Sequence, residues 1–333
     1  MKQRQWLALC LAFVLCLGVG GCNKKNEPYK ETQFLLDTII EITAYGADAQ
    51  AAVKAAMEEF RKIQPLTDHF DPASQISKIN QNAGIAPVRV DPEVIGMIRH
   101  AQELSEKMDG AFDISVGALT RLWNVGHNGE YVPEAAEIEA LLPLVDYRLI
   151  QIDLVQQTVY LPKKGMYLDL GGVAKGAALN NAVNALKAKG ITSALVNAGG
   201  DVRVIGRKPD GKAWRIGVQD PRNSEGVMAK LTLDQWDTLE TSGDYQRFFI
   251  KDGVRYHHII DPKTGRQPRE IASVTLVYQD SAEVSDLASS GILVLGVEKG
   301  LQVLQRFPGV EAIIMTTDGR LITTPALAGA VGQ

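Results

Sequence analysis

Two histidines stand side by side in "YHHIIDPKTGRQP", residues 256–268, just ahead of Asp261-Pro262 and Thr264-Gly265. The chain has only five histidines, and an imidazole is the side chain best suited to take or give a proton near neutral pH. Tyr256 to Ile260 has the aromatic and β-branched bias of a strand, and the Asp-Pro and Thr-Gly pairs are turn formers. Strand neighbours point to opposite faces, so one imidazole is aimed inward and the other outward.

Four further stretches carry side chains capable of chemistry. In "YLDLGGVAKGAALNNAVNAL" a strand ends at Asp169-Leu170, Gly171-Gly172 turns the chain, and a helix runs from about Val173. Free N–H groups and the dipole at a helix start suit a phosphate, and Lys175 adds a positive charge. The motif is neither Gly-x-Gly-x-x-Gly nor a Walker loop, and taken alone it is more often a plain structural turn. In "SALVNAGGDVRVIG", Asn197 to Asp201 joins two short strands: a hairpin loop, or a glycine-lined wall with Asn197 and Asp201 facing a ligand.

In "SAEVSDLASSGILVLG", a helix from about Ala282 would put Asp286 and Ser290 on one face. A carboxylate and a hydroxyl one turn apart suit a hard cation such as Mg2+, which takes oxygen ligands and keeps water and substrate phosphate. A solvated Asp with a small packing serine is the alternative. In "DGAFDISVGALTRLWNVG", Phe112, Leu119 and Trp123 suit a core or a stacked ring system, with Asp113 among them.

The elements that must position these groups follow from the apolar pattern. "QFLLDTIIEITAYG" has strand character, an amphipathic helix covers about 47–63, and Asp91-Pro92 opens a helix to about Met108. From about Asp146 short apolar runs dominate, at 148–153, 157–161, 166–170, 192–197, 202–206, 214–218, 228–233, 246–250, 256–260 and 273–279. Two long helices interrupt them, near Val173 and near Ala282. Early helices followed by neighbouring strands predict an α+β fold with antiparallel sheets rather than a doubly wound parallel sheet. No linker divides the chain beyond its N-terminal region.

That region, "MKQRQWLALCLAFVLCLGVGGC", has a basic start, an apolar run shorter than the ~20 residues of a bilayer span, and small residues before Cys22. It resembles a bacterial lipoprotein leader, residues 1–21, with Cys22 lipidated and residues 22–31 as a tether. The globular part then works outside the cytoplasm at a membrane. All three cysteines lie in this segment, so the remainder has no disulfide, thiolate metal site or cysteine nucleophile. The formal charge is −4, and loss of Lys2 and Arg4 leaves the rest more acidic. An acidic surface argues against nucleic acid as a partner, and makes a polyphosphate ligand depend on a local cation.

Taken in order, "DHFDPASQISKIN", "DGAFDISVGAL", "DLGGVAKG", "VNAGGDVRVIG", "TSGDYQRFF", "HHIIDPKTGRQP" and "AEVSDLASSGILVLG" resemble the successive motifs of the FAD:protein FMN transferases, the ApbE family. The resemblance spans about residues 32–323. It implies a single T-fold-related α+β domain over 32–333. The implied activity is Mg2+-dependent transfer of the FMN half of FAD to a threonine hydroxyl, with release of AMP; Mn2+ is a possible substitute. The implied acceptor carries Asp-x-x-Ser/Thr-Gly-Ala-Thr and belongs to a membrane redox pump.

Residue by residue, the resemblance implies His258 as general base or orienting group for the threonine, and the Gly172 carbonyl, Asp286 and Ser290 as metal ligands. Leu36, Ala111, Phe112, Asp113, Asp169, Lys175, Asn197, Asp201 and Ile271 would contact FAD. Ser290 stands where threonine is more frequent, Leu36-Asp37 replaces Met-Gly, and Asn180 replaces a frequent aspartate. Two other activities stay open: a metal-dependent FAD pyrophosphatase, and a lipoprotein that binds flavin without turnover.

Overall fold

The computed structural model describes residues 27–126, 130–281 and 286–330. The expected lipoprotein leader, residues 1–21, and Cys22 lie outside the described residues. Within them the chain forms β1 (Tyr29–Leu35), β2 (Thr38–Ala44), α1 (Ala49–Thr67), α2 (Gln75–Gln81), β3 (Val88–Arg89), α3 (Pro92–Lys107), α4 (Gly117–Trp123), α5 (Ala135–Leu141), β4 (Gln151–Asp153) and β5 (Thr158–Tyr160). It continues with α6 (Gly171–Ala188), β6 (Ala194–Ala198), β7 (Asp201–Ile205), β8 (Trp214–Asp220), β9 (Asn223–Leu233), β10 (Thr238–Gly243), β11 (Phe248–Lys251) and β12 (Val254–His257). The last elements are β13 (Ile271–Tyr278), α7 (Ser290–Leu304), β14 (Glu311–Thr316) and β15 (Leu321–Thr323).

One eight-stranded sheet, ordered β1-β2-β6-β7-β10-β13-β14-β15, carries the fold, and its paired strands are antiparallel. Its spatial order is its chain order, so each insertion between sheet neighbours packs on a face or an end. The apolar face of α1 recurs at helical spacing, through Ala52, Val53, Ala56, Met57, Phe60 and Ile63, all buried. That face lies against α6, whose Ala178 and Ala182 let the two helices approach closely. The other sheet face is covered by the β8–β9 hairpin, which sets Trp214, Leu231 and Leu233 over Val202, Val204, Leu239, Val277 and Ile313. Covered on both sides, β13 buries all eight of its residues, Ser273 and Thr275 included.

Four expectations change. The segment 33–46 is part of a hairpin rather than one strand: Leu36 and Asp37 turn the chain with φ of 52° and 56°. This left-handed pair costs about 1–2 kcal/mol per non-glycine residue, which is why no Asn-Gly signal announced the turn. The expected tether over residues 22–31 overlaps the fold, because Tyr29 to Glu31 already pair with Ala44 to Ile42. Residues 166–170 form no strand; they run past residue 116 with a single parallel bridge, Val116 to Tyr167.

The last change touches the site directly. The final helix starts at Ser290, so Asp286 precedes it and does not share a helical face with Ser290. Asp286 and Ala288 have φ of 46° and 51°, which no helix allows. Residues 282–285, where the helix was expected to begin, lie outside the described residues.

Candidate active site

A cleft opens where the start of α6, the end of β10, the segment after β12 and the start of α7 meet residues 111–116. Phe112 holds two of these elements together. A Cβ at Gly172 would sit 2.7 Å from its ring, and one at Gly291 would sit 3.2 Å from its Cβ and 2.4 Å from Met108 Sδ. Glycine is therefore required on both sides for α6 and α7 to close on that ring. The hydroxyls of Ser242 and Ser289, 2.8 Å apart, tie β10 to the residue before Ser290.

Asp169 fixes the start of α6. Its Oδ1 accepts from Gly171 N at 2.9 Å and faces His69 Nδ1 at 3.5 Å, while its Oδ2 accepts from Thr120 Oγ1 at 3.1 Å. Burial alone would raise its pKa, but these hydrogen bonds and the His69 charge hold it at about 2. Asp113 is likewise committed, accepting from Ser115 N, Ser115 Oγ and Tyr147 N at 2.7, 2.6 and 2.9 Å. Burial nevertheless pushes its carboxyl up.

Across the cleft, Lys175 Nζ meets Asp201 Oδ2 at 2.6 Å, and Asp201 Oδ1 accepts from Thr241 N at 3.0 Å. Glu240 and Asp286 lie beyond them. Burial, and then the Asp201 charge, raise Glu240 to about 7; burial and the Glu240 charge push Asp286 well above the carboxylate range. Five carboxylates but only two fixed cations, Lys175 and Arg247, line the cleft. An anionic ligand would bind more tightly here with further positive charge.

The donors offered are hard oxygens: the Asp286 carboxylate, the Ser290 hydroxyl and the Gly172 carbonyl, all on the cleft wall. Among the described residues no group of three His, Cys, Asp or Glu side chains is arranged to hold a metal. A cation here would have one carboxylate, supplemented by a hydroxyl, a carbonyl, water and ligand oxygens, which is the habit of Mg2+. The Asp286 carboxylate occupies the gap beside Gly176, where a Cβ would lie 1.9 to 2.5 Å from its atoms. Gly176→Ala must displace it. The expected result is a 10–100-fold rise in the metal concentration needed for activity, read by titrating Mg2+ and Mn2+.

His258 follows the end of β12, and the backbone holds it twice: its N–H donates to Arg247 O at 3.1 Å, and its Nδ1 lies 3.3 Å from the same oxygen. A carbonyl only accepts, so Nδ1 carries the hydrogen and Nε2 keeps the lone pair. By exposed area the residue is only half-buried, yet enough protein surrounds the ring that desolvation, then the Arg247 and His257 charges, pull its pKa down to about 3. The expectation of an imidazole titrating near working pH is thus corrected: in the free protein this one is a standing neutral acceptor.

His257 does not face outward. It is 2% exposed, with Nε2 3.0 Å from Pro268 O. A titration of histidine ring signals by NMR should show His258 neutral down to about pH 3 and His69, raised by Asp169, titrating above its ordinary 6.5. Because the folded pKa of His258 is depressed, its contribution to stability is complete above 6.5 and fades as pH falls toward 3.

The cleft brings together ten of the sequence candidates: Ala111, Phe112, Asp113, Asp169, Gly172, Lys175, Asp201, His258, Asp286 and Ser290. Three are placed elsewhere. Leu36 sits in the β1–β2 turn, Asn197 braces its own hairpin by accepting from Gly200 N at 3.0 Å, and Ile271 is fully buried in the core at the start of β13. Sequence reasoning missed Thr120, Glu240 and Arg247. The run "TSGDYQRFF" contains Arg247 and directly follows Glu240, but nothing in its composition singled out that arginine or the glutamate before it.

Residues 36–314 match the family model described as the ApbE family. The chain is 32% identical to the FAD:protein FMN transferase of Treponema pallidum over 336 residues, covering 95% of this chain and 92% of that one. It is also 32% identical to the FAD:protein FMN transferase of Klebsiella pneumoniae over 299 residues, with coverage of 89% and 92%. The solved ApbE protein of Thermotoga maritima superposes with a TM-score of 0.84 at 34% identity, over 92% of this chain and 100% of that one. The flavin transferase ApbE of Vibrio cholerae superposes at 0.80 with 25% identity, over 92% and 99%. With a family model spanning most of its length and relatives this similar end to end, the chain belongs to the ApbE family.

Proposed function

We propose that this protein is an FAD:protein FMN transferase whose cleft holds FAD with its diphosphate between the start of α6 and the start of α7. The observation that carries the reading is the convergence of a neutral, oriented imidazole, His258, with the oxygen donors Gly172, Asp286 and Ser290 in one acidic cleft. The cleft has a volume of about 200 Å³, smaller than the roughly 300–1,000 Å³ of closed small-molecule sites, so it would hold only part of a dinucleotide.

In the reaction, the threonine Oγ of the acceptor attacks the phosphorus of the FMN half. The P–O bond to the bridging oxygen breaks, AMP departs with that oxygen, and the hydroxyl proton passes to His258 Nε2. The Nδ1–H bond to Arg247 O keeps Nε2 aimed and unprotonated for this task. Lys175, anchored by Asp201, faces the diphosphate. Phe112 closes one wall against water. Asp286, Ser290 and the Gly172 carbonyl would hold Mg2+, or Mn2+ in its place, which would supply neutralisation of the diphosphate charge.

The acceptor in this reading carries Asp-x-x-Ser/Thr-Gly-Ala-Thr and belongs to a membrane redox pump. Residues 1–21 act as a leader, Cys22 is lipidated, and the protein works on the extracytoplasmic face of the cell membrane, without a nucleic-acid partner. The test is a nucleotide balance with FAD, Mg2+ and an acceptor fragment. AMP should appear in step with flavin fluorescence on the fragment, and neither when its threonine is alanine. FMN and AMP accumulating with the fragment unlabelled would mean a pyrophosphatase, and intact FAD retained for hours would mean a binding protein.

A further inference from the structure

Asp286 has a backbone that nothing local explains. Its φ of 46° and that of Ala288, 51°, lie in the left-handed region, where each non-glycine residue costs about 1–2 kcal/mol. Such geometry persists only when the surroundings impose it. Three side chains from other elements do so here. Tyr278 Oη accepts from Asp286 N at 3.1 Å and donates to Glu240 Oε1. Glu240 Oε2 accepts from Leu287 N at 2.9 Å, and His100 Nε2 lies 2.9 Å from Asp286 O.

The first two belong to adjacent sheet strands. Glu240 pairs with Leu276 and Thr238 with Tyr278, so Glu240 and Tyr278 are diagonal neighbours on one sheet face. Glu240 is 6% exposed and Tyr278 0%. A carboxylate is not buried in a sheet without its acceptor sites being used. Both oxygens of Glu240 already accept from Tyr278 and from Leu287, so this carboxylate is occupied with the chain around Asp286 rather than directed at a cleft ligand.

We infer that Glu240, acting with Tyr278, is a positioning residue that fixes Asp286 in the geometry needed to hold the catalytic cation. This rests on the reading of Asp286 as a metal ligand. The pair converts a rigid sheet into a template for a loop: β10 and β13 clamp residues 286–287 from the backbone side while the Asp286 carboxylate lies beside Gly176.

The test uses the whole enzyme in four forms: wild type, Glu240→Gln, Tyr278→Phe and Asp286→Asn. Mn2+ binding in the presence of FAD is measured directly by electron paramagnetic resonance, alongside FAD affinity without metal and FMN transfer across a metal titration. An amide has one acceptor oxygen, so Glu240→Gln cannot accept from both Tyr278 and Leu287; Tyr278→Phe keeps the ring and drops both of its bonds. Each should weaken Mn2+ binding by about 10–100-fold and recover most of kcat at saturating metal, and neither should weaken metal-free FAD binding.

Wild-type Mn2+ affinity in both variants, with Asp286→Asn deficient, overturns the positioning role and leaves the metal site standing. Asp286→Asn binding Mn2+ like the wild type removes the metal reading and the positioning role together. Should Glu240→Gln fail to fold, Tyr278→Phe decides alone, since a phenylalanine at a fully buried, ring-filled position preserves the packing.

Discussion

Replacing His258 with alanine is expected to lower FMN transfer by about 10²–10⁴-fold while leaving FAD affinity within a few-fold of wild type. The reasoning is geometric. The ring is tethered through Nδ1 to Arg247 O, and being uncharged it adds little to phosphate binding; the negative charge of an arriving diphosphate raises its basicity for the proton it takes in the reaction. Loss of the imidazole therefore removes a step from the transition state and little from ground-state binding. The check is kcat for transfer beside a fluorescence titration of FAD. A variant that transfers flavin at the normal rate would remove His258 from the mechanism. Loss of FAD binding in parallel with transfer would make it a ligand contact instead.

Replacing Asp286 with alanine carries the second large effect, and it has two signs. Transfer at ordinary Mg2+ should fall at least about 100-fold, since the affected group is a direct ligand and outer-shell changes alone cost up to that much. Metal-free stability at pH 7 should rise. Burial and the Glu240 and Asp201 charges push the Asp286 carboxyl well above its usual range, so ionising it in the folded state opposes folding at every pH above its unfolded value. The thermal midpoint of the metal-free variant should therefore exceed that of the metal-free parent. The upward shift that Mg2+ and FAD give the parent should be absent from the variant. A variant equally stabilised by Mg2+ would show that the cation sits elsewhere.

Several of these features were legible in the residues. Asp169-Leu170-Gly171-Gly172 announces a turn into a helix because two glycines follow an apolar strand-like run, and the structure shows why both acid and glycine are needed. Asp169 bonds Gly171 N, and Phe112 lies where a side chain on Gly172 would go. Asp91-Pro92 starts α3 as a cap and first-turn proline should, with Asp91 accepting from Glu93 N. The Gly199-Gly200 hairpin is similarly plain, with φ of 60° and 99°.

The features that stayed hidden are those set by tertiary contact. Leu36-Asp37 is a hairpin turn without turn residues, closed by the pairing of β1 with β2. β10 escaped notice because "TLETSG" is polar; its Glu240 and Thr241 are held by Tyr278, Leu287 and Asp201 rather than by an apolar face. "SDLASSG" has helical composition around Asp286, yet its backbone is held off the helix by partners on α3, β10 and β13. Ile271 and Asn197 sit in runs that also contain functional groups. Nothing in sequence separates a core isoleucine or a turn-bracing amide from a ligand contact.

Intact-mass measurement of an acceptor fragment is the most direct test of the central claim. The fragment is incubated with this protein, FAD and Mg2+, and its mass is read before and after. The account predicts one added FMN phosphoester per fragment, mapped to the threonine of Gly-Ala-Thr, with AMP released in equal amount and no addition when Mg2+ is chelated. An unchanged fragment mass while FAD is consumed, or an addition that forms equally well without a divalent cation, would contradict it.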